Sequence, residues 1–568
     1  MSDEKKIKES GKVSRRTFVA GAAVVGAAAI ATSALSACST GDNGSTSTTS
    51  DGTTTDSEPT GGTIRYYINQ PVCIDTFNVQ ESEGTQVAAN LFNSLTRYDY
   101  PTQKLTAAAA ESWEVSDDAT VFTFKLVQGA KFHNGDPVTA KDFKFGWERI
   151  CNPKTTSDPS EISYHIDKIV GYEDMLKGNA TELTGLKALD DYTLEVTLSE
   201  PFADFVMVAS HPALGPVPSG GAADDFNTFF RSPIGNGPFM MDGDWVDDQY
   251  IRVKRFDDYY GDKAKIDGCD FLIIKSPETA FTQFQAGDLD FTMIANGQIA
   301  ATKNQYGVAG DGYTINPGQQ TLLGAESSTY YFVINQDDEL MKDKNVRKAI
   351  SLAINRQAIC DTIFEGTRIP AGSIVPPGID GYREGSWAYS KYDVDAAKQA
   401  LADAGYPNGD GFPEITLSCN SGGGHEEIMQ MAQADLAAIG ITAKLDSMEW
   451  ATYLQALTDG KYQIGRLGWI ADYPIMDNFL YPLFYTGNGD NRSHYTNKDV
   501  DTQLMAARSI TDADARIKAY QAVDDILGED CVVVPVMFYC HNRVGSDVVN
   551  NFFFSPNMIA NLKAMFLK

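Results

Sequence analysis

A mixed α/β fold in two or three domains is what this chain predicts, and three observations carry the prediction. Roughly 500 residues remain once the first 61 are set aside, more than a single hydrophobic core serves. Turn-rich, aromatic strands alternate with amphipathic helices along that whole length. No internal period suggests a solenoid.

The elements follow in chain order. Phe122, Phe124 and Leu126 alternate with Thr123 and Lys125, which predicts a half-buried strand. Asn134-Gly135-Asp136-Pro137 is a turn. Thr139 then caps a helix, with Asp142 in the fourth capping-box position and Phe143, Trp147 and Ile150 behind it. Phe281 to Ala286 close a helix that Gly287 stops, and Leu289-Asp290-Phe291 returns as a strand. Asn345 opens a helix with Val346, Ile350 and Ile354 on its apolar face. Asp393 caps another, which ends with Gly405 in the C′ position. The run VVVPVMFY is a strand, so the flanking Cys531 and Cys540 would stand about 30 Å apart.

The N-terminus speaks of export. Residues 1–37 pair a basic stretch with a Gly/Ala-rich apolar one from Phe18 to about Leu35, the pattern of a removable signal. Ser14-Arg15-Arg16-Thr17-Phe18 resembles a twin-arginine signal, and Leu35-Ser36-Ala37-Cys38 resembles a bacterial lipobox. The resemblance implies a lipid on Cys38 and a place at the outer face of the bacterial cytoplasmic membrane. Residues 39–61 hold no aliphatic or aromatic side chain, so 38–61 is expected to be a flexible tether.

Composition excludes several classes. Residues 1–37 carry six Lys/Arg against three Asp/Glu, so their removal takes the formal charge from −30 to −33. A surface this acidic argues against nucleic acid and against docking on anionic lipid. The exported chain has seven cysteines besides Cys38 and no CxxC, which indicates neither a disulfide framework nor a zinc site. There is no GxSxG elbow, no phosphate loop and no GxGxxG, and the six histidines show no metal-ligand spacing. No enzyme, cofactor or metal is expected; a secreted hydrolase is the weaker alternative.

Five segments in order resemble the extracytoplasmic substrate-binding proteins of peptide-importing ABC transporters, family 5. They are the opening stretch; Ala110-Glu111-Ser112-Trp113 with FTFKLVQGAKFHNGDPVTAKDF; Ser232 to Phe239 with FDDYYGDKAKID; NVRKAISLAINRQAI; and VDAAKQALADAGYPNGDG. The resemblance implies a periplasmic-binding-protein-like clamp of three domains: two α/β lobes, a hinge and an inserted small domain. Lobe one is expected at 62–90, 195–328 and 540–568, the insert at 91–194, and lobe two at 329–539, with crossings near 328 and 540. It further implies a monomer that binds short peptides and delivers them to an ABC permease. A metal complex, opine or oligosaccharide in the same clamp is the alternative cargo.

One charge stands out beforehand. Asp472 lies among Trp469, Ile470, Tyr473 and Pro474, where an unpaired carboxylate is costly. Trp469-x-x-Asp472-Tyr473 matches the family's W-x-x-D-Y motif, which implies that Asp472 meets a peptide's α-ammonium. Arg466, six residues earlier, shares a face with Asp472 if the strand continues. The resemblance places it near the ligand's carboxylate, and His425 where a pocket histidine occurs in relatives. A ligand is expected to add as a strand between Gly468–Ile470 and a strand-like edge at Glu81, Ser82, Glu83 and Gly84.

Overall fold

A computed structural model of the chain describes residues 61–568, apart from 80, 157–159 and 422–423. The signal, Cys38 and all but the last residue of the tether lie outside the described residues. Two sheets organise the described body. The first has seven strands in the order Thr321–Leu322, Arg543–Gly545, Phe291–Met293, Thr63–Ile68, Gly268–Ile273, Tyr250–Arg255 and Phe239–Met241. Its centre is parallel, Thr63–Ile68 running alongside Gly268–Ile273 from Thr63↔Gly268 to Ile68↔Ile273, and its flanks are antiparallel.

The second sheet has six strands: Ile369–Pro370, Val533–Cys540, Ala325–Ile334, Ile464–Ile470, Ile415–Asn420 and Ala443–Met448. Ala325–Ile334 is buried on both faces, and its second half, Tyr330 to Ile334, is an unbroken apolar run. Tyr330, Phe332 and Ile334 meet helices Lys344–Ala353 and His425–Ala437, whereas Tyr331 and Val333 meet Asp477–Phe484 and Ala513–Asp530. Period-two alternation thus builds two cores from one strand.

A four-stranded antiparallel sheet, in the order Ala110–Val115, Val121–Leu126, Thr193–Thr197 and Leu186–Asp190, forms the small domain. Strand Thr193–Thr197 spans the expected edge of the insert at 194. Phe122, Phe124 and Leu126 face inward against Trp147 and Phe143 of helix Ala140–Cys151. That helix opens with the expected box, the Thr139 N–H donating to Asp142 Oδ2 at 2.7 Å. Asp393 accepts from Ala396 N–H at 3.0 Å, and Gly405 follows its helix with φ +94°. One cap differs: the helix expected to open at Asn345 is Lys344–Ala353, capped by Asp343, which accepts from Asn345 N–H at 2.8 Å.

The chain passes from the first sheet to the second between Leu322 and Ala325, at 323–324 against an expected crossing near 328, and returns between Cys540 and Arg543. The two crossings lie side by side, since His541 N–H donates to Gly324 O at 2.9 Å. The lobes also meet through ion pairs, Arg516 on Asp204 at 2.8 Å and Arg508 on Glu200 at 3.1 Å. All seven described cysteines are buried and free. Among the described residues no helix is long and apolar enough to cross a membrane.

Candidate ligand-binding site

A cavity of about 830 Å³ opens between the lobes. Lobe one supplies the start of helix Ser82–Leu91 and the segment from Asn551 to Ala564, and the hairpin of Thr96–Asp99 and Lys104–Ala107, within the expected insert, adds to the same wall. Lobe two supplies only Ile470 to Pro474, the turn after strand Ile464–Ile470. The volume is within the usual range for small-ligand sites.

Asp472 lies in that turn, half-buried. Its Oδ1 accepts from the Tyr164 hydroxyl at 2.9 Å and its Oδ2 from Asn478 Nδ2 at 3.3 Å. Asn478 Oδ1 accepts from both the Asp472 N–H and Trp469 Nε1, so one buried amide sets the whole W-x-x-D turn. Every donor is neutral, and among the described residues no Lys, Arg or His pairs with Asp472. The nearby imidazoles supply no charge. Burial pulls His165 and His211 down to about 3, and their rings pack 4.4 Å apart beside Tyr473. Burial, then the Asp472 charge, push the Tyr164 phenol far above its ordinary range, so it remains a donor. Asp490 is pushed up mainly by burial; the Arg492 charge opposes this, and the Asp472 charge adds a smaller push in the same direction as burial.

Two expectations require correction. Glu81–Gly84 is no strand edge but the start of a helix. Glu81 caps it, Oε2 accepting from Gly84 N–H at 2.6 Å and Oε1 from Val72 N–H at 2.8 Å. Burial still pushes the Glu81 carboxyl up against those bonds. A Cβ on Gly84 would sit 1.9 Å from the Cys73 carbonyl oxygen, so only glycine admits this packing. Glu83 instead accepts from Asn69 Nδ2 at 3.0 Å. Glu81 and Ser82 line the cavity; Glu83 and Gly84 do not.

Arg466 and Asp472 do not share a face either, because the strand ends at Ile470 and the chain turns. Arg466 Nε donates to Asn420 Oδ1 at 2.7 Å, and its guanidinium lies 5.5 Å from the Trp450 ring and 5.9 Å from the Tyr330 ring. His425 begins helix His425–Ala437 and stacks on Tyr330 at 5.8 Å. Burial, then the Arg466 charge, bring it down to about 4, and its buried Nδ1 has no hydrogen-bond partner among the described residues. Arg466 and His425 therefore form a second cluster, outside the lining of the Asp472 cavity. Trp450, Asn420, Tyr164 and Asn478 escaped the sequence reading; no local pattern marks them.

Gly468 to Ile470 do present an edge. Strand Ile415–Asn420 pairs with this strand only as far as Ser418↔Gly465, whereas Ala325–Ile334 pairs along its whole length. The Ala471 N–H donates to Ser327 O, which sets the alternation and aims the N–H and C=O of Gly468 and Ile470 away from Ala325–Ile334. Ile470 is 59% exposed.

Two lobes joined by paired crossings, with a roomy cavity and an uncompensated carboxylate between them, define a binding protein. The family model of bacterial extracellular solute-binding proteins, family 5 (middle), matches residues 104–491, and the chain belongs to that family. It is by that membership a solute-binding protein rather than an enzyme, with the periplasmic-binding-protein-like fold. It is 29% identical over 524 residues to the dipeptide-binding protein DppE of Bacillus subtilis, covering 89% of this chain and 93% of that one. It is 30% identical over 483 residues to the periplasmic oligopeptide-binding protein OppA of Escherichia coli, covering 83% and 86%. The solved Haemophilus influenzae OppA in complex with the peptide RPPGFSPFR superposes with a TM-score of 0.66 at 27% identity, covering 89% of this chain and 99% of that one.

Proposed function

We propose that this protein captures short peptides with a free N-terminus between its lobes and passes them to an ABC permease, tethered to the membrane by a lipid on Cys38. Asp472 carries the reading. It is a half-buried carboxylate at the cavity wall with only neutral hydrogen-bond donors. An α-ammonium is the cation common to nearly all peptides, so one fixed carboxylate reads the class without reading side chains. Lobe closure about the crossings at 323–324 and 541–542 would remove water and strengthen the pair. The ligand backbone adds along the open edge at Gly468 and Ile470, which tolerates any side chain. Lobe one answers it with a helix start, so the strand-like bonds come from lobe two alone.

Calorimetry on ligand-stripped protein tests this. Free di- to pentapeptides are expected to bind, and N-acetylation or Asp472→Asn to weaken binding by about 2–5 kcal/mol, without adding to one another. Binding indifferent to acetylation would make Asp472 structural. No peptide binding at all would leave another solute in the same clamp as the cargo.

A further inference from the structure

The same cavity has a second charged wall that the ammonium reading leaves unused. Arg97, on strand Thr96–Asp99, and Lys563, in the C-terminal segment, both line it. Neither makes an ion pair among the described residues, in a chain with 76 acidic residues against 46 basic ones. With acids in such excess, two neighbouring cations without a partner are unexpected. Lys563 is half-buried, with Nζ 5.8 Å from the centre of the Tyr259 ring. Burial and then the Arg97 charge pull its ammonium down, and the Asp262 charge only partly opposes them. Arg97 itself is exposed, whereas Lys563 is partly desolvated beside a like charge, which is unfavourable unless an anion joins them.

The charge arrangement points to an anion subsite: we propose that Arg97 and Lys563 take a carboxylate of the ligand while Asp472 takes its ammonium. This rests on the peptide reading above and extends it. A zwitterionic ligand then lies across the cavity, from the lobe-two turn to the hairpin at 96–107, and the spacing of these walls selects its length. The carboxylate is either the peptide's C-terminus or an acidic side chain. Arg466, where the sequence alone placed carboxylate recognition, lies in the other cluster and serves as the control.

The test is a cycle in calorimetry. A tight-binding peptide and its C-terminal amide are titrated into wild type, Arg97→Gln/Lys563→Gln and Arg466→Gln. Amidation is expected to weaken wild-type binding tenfold or more, and to change binding less than threefold in the double variant. Arg97→Lys should restore part of the discrimination, which a general folding defect would not. If an amidated peptide with an internal Glu recovers affinity in wild type but not in the double variant, the subsite reads a side chain. An equal amidation penalty in wild type and the double variant overturns the proposal, as does a penalty abolished only by Arg466→Gln. Sensitivity to amidation without sensitivity to acetylation would sink the Asp472 reading and leave the subsite standing; no peptide binding to wild type would end both.

Discussion

Asp472 is positioned by neutral donors alone, and that governs what single substitutions should do. The Tyr164 hydroxyl, from the small domain, donates to Oδ1 and competes with a ligand for that oxygen while also orienting it. Tyr164→Phe removes one charge-assisted hydrogen bond, so affinity for a free peptide should change by about 1.5–3 kcal/mol. The acetylated peptide, which no longer engages the carboxylate, should bind both proteins alike. Equal loss for the two peptides in calorimetry would mean that Tyr164 acts on the ligand elsewhere.

The element that decides recognition is strand Ile464–Ile470, central in its sheet yet open along half of one edge. Gly468 tests that edge. A Cβ there would meet nothing nearer than 3.5 Å, the Thr329 carbonyl oxygen and the Tyr539 hydroxyl, so Gly468→Ala should fold and bind as wild type does. Proline lacks the N–H that faces the open side and spares the bonds to Ala325–Ile334. Gly468→Pro should therefore keep its unfolding midpoint within a few degrees while losing about 1–3 kcal/mol of peptide affinity, the cost of an unpaired ligand carbonyl. Retained affinity would exclude strand addition at this position.

Across the whole molecule the buried histidines set the response to acid. His133, His165, His211 and His425 are held at about 4, 3, 3 and 4, burial being the main cause of each. A lowered imidazole favours the neutral form in the folded state. Its contribution is complete above the unfolded value of about 6.5 and is lost as pH falls below it. The fully buried His165 alone should cost about 2 kcal/mol at pH 5. Raised carboxyls such as Asp204 and Asp477 act in the opposite sense, because they bind protons more readily when folded. Urea unfolding at pH 7 and pH 5 should thus show stability dropping with acid, and His165→Phe should flatten the drop. An unchanged slope in the variant would assign the acid sensitivity to other groups.

Much of this was legible from residues close together in the chain. The box at Thr139 and Asp142, the cap at Asp393, the alternation at Phe122–Leu126 and the strand Val533–Cys540 are contacts or periodicities spanning at most a few residues. Asp472 was legible too, as a charge out of place in an apolar run. Glu81–Gly84 departs from the strand its sequence suggests because its cap reaches back to Val72 and its glycine packs on Cys73, contacts that no periodicity encodes. Sequence by itself determined the elements, the family and the unmet carboxylate, since caps, alternation and local polarity act within a few residues. Only the tertiary structure decided that Tyr164 reaches Asp472 across 308 positions and that Arg466 turns to Asn420 instead. It alone set Arg97 and Lys563 on the same cavity, because which groups share a desolvated space depends on how whole lobes pack.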